Sequence, residues 1–514
     1  MIRPQFILLH AAALVAACSG TTGWKVDLDA VVDADAETSP ADAEVETESP
    51  DASEVETESP DACPPATITA TPSGTHCTGE EVVLDAGEHD TYLWSTGDTT
   101  RTITVTTDAT YTVHVTDAGG CGADAQFVLD SSPLPAAVDA MDVGESGVKP
   151  KLVPSPEGDR IYLFFSSPDA KVKTFDVASE SWLPEVLVAP GTASTLVRWI
   201  GQGYAVDPAG NLHVAWGEGT SACPGDVPTY VRHVVFDGTT WGDAETLAER
   251  VPGDPVCGFQ NAAMASDGSG RILVAYQVPT MVDEDTAHAI HPKKYRIHDG
   301  SAWSEELQVG STTHAGDVTA GGGAGSFYLG HMVSGGGVDT EIDLILPGST
   351  AIAETTRLSG TGVDHAATFL VEPSGTAHAV WQMGDMFDDP YGHASGIFYN
   401  HREGGTWIEG DPGTRLVCAA FFGHGSPDQE EEAWVHMAMS PSGTKLVVFT
   451  YMTELYYIVG TDEAWGPIHH AEIDVDARWA YPIALGSTDR FLVVWSTREY
   501  QTPGSTLHYV ILQV

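Results

Sequence analysis

Ala209-Gly210-Asn211-Leu212-His213-Val214-Ala215-Trp216, followed by Phe236-Asp237-Gly238-Thr239-Thr240-Trp241, decides how this chain folds. The first stretch is a glycine turn feeding an apolar run that ends on an aromatic. The second is a tight Asp-Gly turn closed by a tryptophan. Both recur. Glycine turns lead to Phe164, Tyr276, Trp381 and Phe449, and the run Phe491-Leu492-Val493-Val494-Trp495 matches them. The closing tryptophans Trp182, Trp241, Trp303, Trp407 and Trp465 stand 59, 62, 104 and 58 residues apart, the 104 being two periods with one copy decayed. Short apolar runs between Gly and Asp turns read as strands. A period of roughly 50 to 60 residues, with several strands per copy and no long amphipathic helix, predicts a β-propeller over residues 134–514. Six units are clear and a degenerate one falls near 314–362, so seven blades are preferred and six are the alternative. The last unit stops after Leu507–Leu512, so residues 134–146 are expected to supply its outer strand. The repeated aromatics are expected in the core between blades.

Upstream, Val82-Val83-Leu84, Tyr92-Leu93-Trp94, Thr102-Ile103-Thr104-Val105 and Tyr111-Thr112-Val113-His114-Val115 also read as strands. With Gly119-Gly120-Cys121, residues 63–131 resemble the immunoglobulin-like and PKD-like modules of bacterial surface proteins. That resemblance implies a small β-sandwich with Trp94 at its core. Cys77 and Cys121 flank the strands and are the preferred disulfide there. The chain is therefore expected to be all-β, a small sandwich followed by a propeller. Residues 18–62 are acidic and carry a tandem repeat, Glu44–Ala52 recurring at Glu54–Ala62. Such a segment buries too little apolar surface to order itself, so a disordered spacer is expected.

Phe6 to Leu14 form a short apolar run after Arg3, and Val15-Ala16-Ala17-Cys18 follows. This pattern is a secretory signal over residues 1–17. It resembles the lipobox of bacterial lipoproteins, which implies lipidation of Cys18 and attachment to a membrane. Ser19 after the cysteine suggests the outer membrane or cell surface. A plain cleaved signal is the alternative.

The chain carries 73 acidic and 22 basic residues, a formal charge of −51. Nucleic acid is excluded as a partner, because phosphate binding needs clustered Lys and Arg. The carboxylate excess makes calcium the metal to consider, with Asp385, Asp388 and Asp389 as candidate ligands. The same three residues also read as a solvated acidic loop.

The Asp-Gly-x-x-Trp turns resemble the Asp-boxes of sialidase-like propellers. Those turns are structural, so the resemblance implies fold and not activity. In a propeller, the loops after second strands and the loops between blades share one face, and here both sets are long. Cys223 and Cys257 fall in adjacent loops of that face and are a second candidate disulfide. Arg198-Trp199 and Arg478-Trp479 are the candidate ligand contacts, since indole stacks on sugar rings and guanidinium bonds hydroxyls or a carboxylate. Both tryptophans read equally as buried blade-start residues. No nucleophile elbow, zinc helix or P-loop motif is present. The expected function is a non-enzymatic, membrane-anchored surface lipoprotein whose propeller face binds a glycan or a protein. One alternative is a glycan-active hydrolase or lyase with carboxylates in the propeller centre, Asp317 and Glu218 being candidates. The other is a purely structural envelope protein.

Overall fold

The computed structural model describes residues 66–71, 81–129, 133–167, 169–192, 202–218, 228–251, 259–278, 280–283, 288–290, 292–309, 318–334, 338–358, 367–383, 396–408, 413–418, 434–462, 464–497 and 505–514. Every regular element among them is a strand. From residue 134 onward the described residues form seven sheets of four or five strands and one two-stranded hairpin, Thr280–Asp283 with His288–Ile290; within each large sheet, strands that pair in chain order do so antiparallel. Their first strands are Val148–Pro154, Gln202–Val206, Gln260–Ser266, Val318–Gly323, Thr368–Val371, Trp434–Met439 and Arg478–Ala484. Each packs beside the next in that order, and the seventh packs against the first. The result is a closed β-propeller with these seven as inner strands.

Why a ring forms follows from the second strands. Ile272–Gln277 and Lys445–Tyr451 are buried at every position. A strand that is apolar on both faces needs a neighbouring sheet on each side. Accordingly each apolar cluster straddles two consecutive sheets. Phe164 and Val172 of the first sheet meet Tyr204 and Trp216 of the second. The last cluster joins Leu492 and Val494 of the seventh sheet to Leu163 and Phe165 of the first. Each fully buried Leu or Phe contributes roughly 1.5–3 kcal/mol of transfer free energy. The aromatics that end the second strands, Trp216, Tyr276, Trp381 and Trp495, are core residues.

The tight turns set the strand register. The Asp237 carboxylate accepts from the backbone N–H groups of Thr239 and Thr240, each at 2.8 Å, and Gly238 adopts φ 88°. Asp299 does the same for Ser301 and Ala302, both at 2.9 Å. These N–H donors and the Ser301 hydroxyl hold the Asp299 carboxyl down to about 2. The Asp-turns are thus structural, as the resemblance implied. The fourth sheet lacks this turn. There Arg271 of the third sheet reaches over and donates to Ser349 O at 2.6 Å and to Gly325 O.

Closure uses both ends of the domain. Met141–Asp142 pairs antiparallel with the last strand, Leu507–Gln513, as the sequence led us to expect. Leu134–Ala137 adds in parallel to Trp465–Glu472, a pairing the sequence did not suggest. Arg490 of the seventh sheet grips Glu180 of the first, with Nη2 at 2.8 Å from Oε2.

Residues 66–129 form two three-stranded sheets, in the orders Thr69–Thr71, Val82–Asp85, Thr102–Val105 and Thr91–Trp94, Ala109–Thr116, Gly122–Leu129. One apolar cluster fills the space between them, with Trp94 only 2% exposed. Its indole N–H donates to Thr100 O at 2.8 Å.

Gly321-Gly322-Gly323 lies in the fourth inner strand. A side chain at Gly322 would run into Ser266 O, and one at Gly321 into the Phe369 side chain. The glycines let adjacent inner strands approach. Only residues 473–477 connect the strands Trp465–Glu472 and Arg478–Ala484, although loops between sheets were expected to be long. Gly322→Ala should therefore destabilise the ring by about 1–3 kcal/mol through overpacking. Chemical denaturation of the variant checks this, and an unchanged midpoint would refute it.

Candidate functional site

The sequence-selected contacts divide into two groups. Arg198, Trp199, Asp385, Asp388, Asp389, Cys18, Cys77, Cys223 and Cys257 lie outside the described residues. Arg478 and Trp479 lie at the start of the seventh inner strand. Cys121 immediately precedes the strand Gly122–Leu129. Glu218 ends a second strand and is paired with Arg232 at 2.9 Å. Asp317 lies outside the described residues.

Trp479 sits in a β-bulge. Arg478 pairs with Ser496 and Tyr481 with Val494, so Trp479 and Ala480 together face Trp495. The first inner strand repeats the device: Val148 pairs with Ser166 and Lys151 with Phe164, leaving Lys149 and Pro150 opposite Phe165. At both bulges the leading residue is left-handed, Lys149 with φ 54° and Trp479 with φ 52°. That conformation favours glycine and costs a bulky L-residue about 1–2 kcal/mol. Nonetheless a lysine and a tryptophan occupy it. The two strands are ring neighbours, and Lys149 Nζ lies 4.7 Å from the centre of the Trp479 indole. Both side chains are half-buried. Bulges and strained non-glycine residues concentrate at functional sites because they aim side chains that a regular strand cannot.

Further along the inner strands a second group gathers. Lys151 Nζ lies 3.4 Å from the backbone carbonyls of both Tyr204 and Met264, on the second and third inner strands. The His436 and Tyr481 rings, from the sixth and seventh inner strands, have centres 4.5 Å apart. Loss of hydration inside the ring pushes the Lys151 ammonium down to about 8. Burial, then the Lys151 charge, push His436 down to about 3, so its imidazole is neutral. Burial pushes the Tyr481 phenol up to about 12. His436 Nδ1 is buried and has no hydrogen-bond partner among the described residues.

Sequence reasoning selected Trp479 but missed Lys149, Lys151, His436 and Tyr481. One signal was available: Val148-Lys149-Pro150-Lys151 places two lysines on one strand in a chain with 22 basic residues. Nothing local marked His436, because its neighbours come from strands far away in sequence.

A charged amine held at about 8, against its usual 10.5, costs the folded state stability below pH about 8. Between those two values the folded protein sheds the proton first, so the cost fades as pH rises. Lys151→Met should therefore raise the melting temperature by about 2 °C. The gain should be largest below pH about 8 and shrink toward 10.5. Thermal melts of both proteins across that range check the sign.

No family model matches the sequence, and no curated protein does. Solved structures similar to the chain include an α-L-arabinanase of Penicillium chrysogenum, at 10% identity and TM-score 0.41, over 74% of this chain and 98% of that one. A polysaccharide lyase acting on ulvan shows 13% identity and TM-score 0.42, over 72% of this chain and 95% of the other. The intramolecular trans-sialidase of Ruminococcus gnavus shows 9% identity and TM-score 0.39, over 63% and 96%. Likenesses this distant carry no argument about activity.

Proposed function

We propose that this is a glycan-binding surface protein, anchored through a lipid on Cys18 and held off the membrane by residues 18–62. Residues 63–131 serve as a spacer module of immunoglobulin-like or PKD-like type, braced by a Cys77–Cys121 disulfide. Residues 134–514 form the binding domain, and its seven sheets are read as seven blades. The observation that carries the reading is the Lys149–Trp479 pair at two strained bulges on adjacent inner strands. An indole with a cation beside it offers a sugar both a stacking face and a hydrogen-bond donor. Arg478, next in the chain, adds a forked donor. The anchor rests on the signal and lipobox pattern alone.

A glycan-active enzyme is the second reading, favoured by one observation: His436, Tyr481 and Lys151 bring three groups able to carry protons into one channel. Of the carboxylate candidates for this reading, Glu218 is paired with Arg232 and Asp317 lies outside the described residues. Glycan cleavage lost in His436→Ala, with binding retained, would favour this reading over simple binding.

A glycan array probed with the full chain tests the main reading. At least one glycan class should bind, and Trp479→Ala should weaken it tenfold or more. Binding that survives the substitution unchanged would refute the platform. Cys18→Ser should shift the protein from the detergent phase to the aqueous phase in phase separation. Non-reducing peptide mapping should recover Cys77 linked to Cys121.

A further inference from the structure

The chain carries 73 acidic residues, yet none of the seven inner strands contains an Asp or a Glu. Those strands instead hold Lys149, Lys151 and Arg478, together with His436. The inner strands themselves therefore oppose the sign of the whole protein. A low-dielectric channel focuses the field of the charges that line it.

Within the channel, Lys151 is the residue whose surroundings ask for a ligand. Its Nζ has two backbone carbonyls at 3.4 Å, both long contacts. No described carboxylate lies within ion-pair distance of it. Lys151 is partly buried, and a cation that has lost part of its hydration is stabilised by a counter-charge. On the sixth inner strand, His436 Nδ1 is shielded from solvent and has no partner among the described residues. Tyr481 stacks at a tilt on the same imidazole and brings a hydroxyl to the group.

We infer that the channel is an anion subsite in which Lys151, His436 and Tyr481 receive a carboxylate or sulfate group of the bound glycan. This rests on the glycan reading above and names its ligand class, a polyanionic polysaccharide. Lys151 supplies the counter-charge. The Tyr481 phenol donates its O–H, and the His436 ring packed against Tyr481 positions it. Lys149, Trp479 and Arg478 hold the sugar ring at the mouth while the charged substituent reaches inward. The protein's negative exterior rejects such polymers everywhere else, so the channel also sets where along the molecule they attach.

The experiment measures affinity of the full chain for dextran sulfate, polygalacturonate and uncharged dextran in parallel. Wild-type, Lys151→Met, Lys151→Arg, Trp479→Ala and Lys294→Met proteins are compared. Lys294 lies on the third strand of the third sheet, beside Gln308, and controls for loss of one charge. The expected result is that at least one polyanion binds tenfold or more tightly than dextran. Lys151→Met should abolish that advantage, Lys151→Arg should keep part of it, and Lys294→Met should leave it intact. Preference for dextran sulfate identifies a sulfate, and preference for polygalacturonate a carboxylate. Polyanion binding that is unchanged in Lys151→Met, or weakened equally by Lys294→Met, overturns the subsite. Dextran bound as tightly as the polyanions, and lost in Trp479→Ala, overturns the subsite but leaves the glycan platform standing. No binding to any of the three overturns both.

Discussion

Two-sided burial of the second strands is the constraint on which this structure depends. Lys445–Tyr451 has no solvent face, and neither has Ile272–Gln277. A sheet built around such a strand is stable only with a partner on each side, and a row of such sheets ends only by closing. The apolar clusters obey that rule, each drawing from two consecutive sheets and the last returning to the first. Polar links then fix the fit between sheets. Arg250 meets Glu306 at 2.9 Å, Ser440 meets Asp489 at 2.6 Å, and Trp303 donates to Glu245 at 2.8 Å. These bonds add modestly to stability one by one. Their greater effect is directional, since each sets the angle at which one sheet meets the next.

Closure also decides the chemistry of the centre. Once the ring is shut, the inner strands pack side by side around one axis. Glycines at Gly203 and Gly322 allow backbone to approach backbone there. Carboxylates crowded together on the inner strands would repel one another, and those strands contain none. Asp207, Asp237 and Asp299 each accept backbone N–H groups at hairpin ends, where their charge organises a turn. The few cations placed inside consequently meet a field that the rest of the molecule does not cancel.

The propeller was legible in the sequence because its repeat is written in large residues. A tryptophan or tyrosine at the end of a second strand is both rare and periodic, as Trp216, Tyr276, Trp381 and Trp495 are. The fourth sheet was harder to see, because Arg271 from its neighbour does the work that an Asp-turn does elsewhere. The site was legible only in part. Arg478-Trp479 stood out as a pair, but the left-handed bulge that aims Trp479 comes from its pairing with Arg490–Ser496 and leaves no mark in composition. Lys149, Lys151, His436 and Tyr481 become a group only when strands distant in sequence meet around the ring. Local patterns report burial well, and they are blind to what three-dimensional closure brings together.

The way the ring is shut has a mechanical consequence. Leu134–Ala137 and Met141–Asp142 are the first strands after the sandwich, and they complete the sixth and seventh sheets. Under the anchoring and glycan capture proposed above, drag on a bound polymer would travel down the backbone through these same strands. The parallel ladder beside Trp465–Glu472 loads its hydrogen bonds together when pulled along the strand axis, which resists rupture better than opening them one at a time. The fastening of the ring and the load-bearing joint of the tether would be the same short stretch of chain, so its strength would limit how much tension the anchored protein can hold.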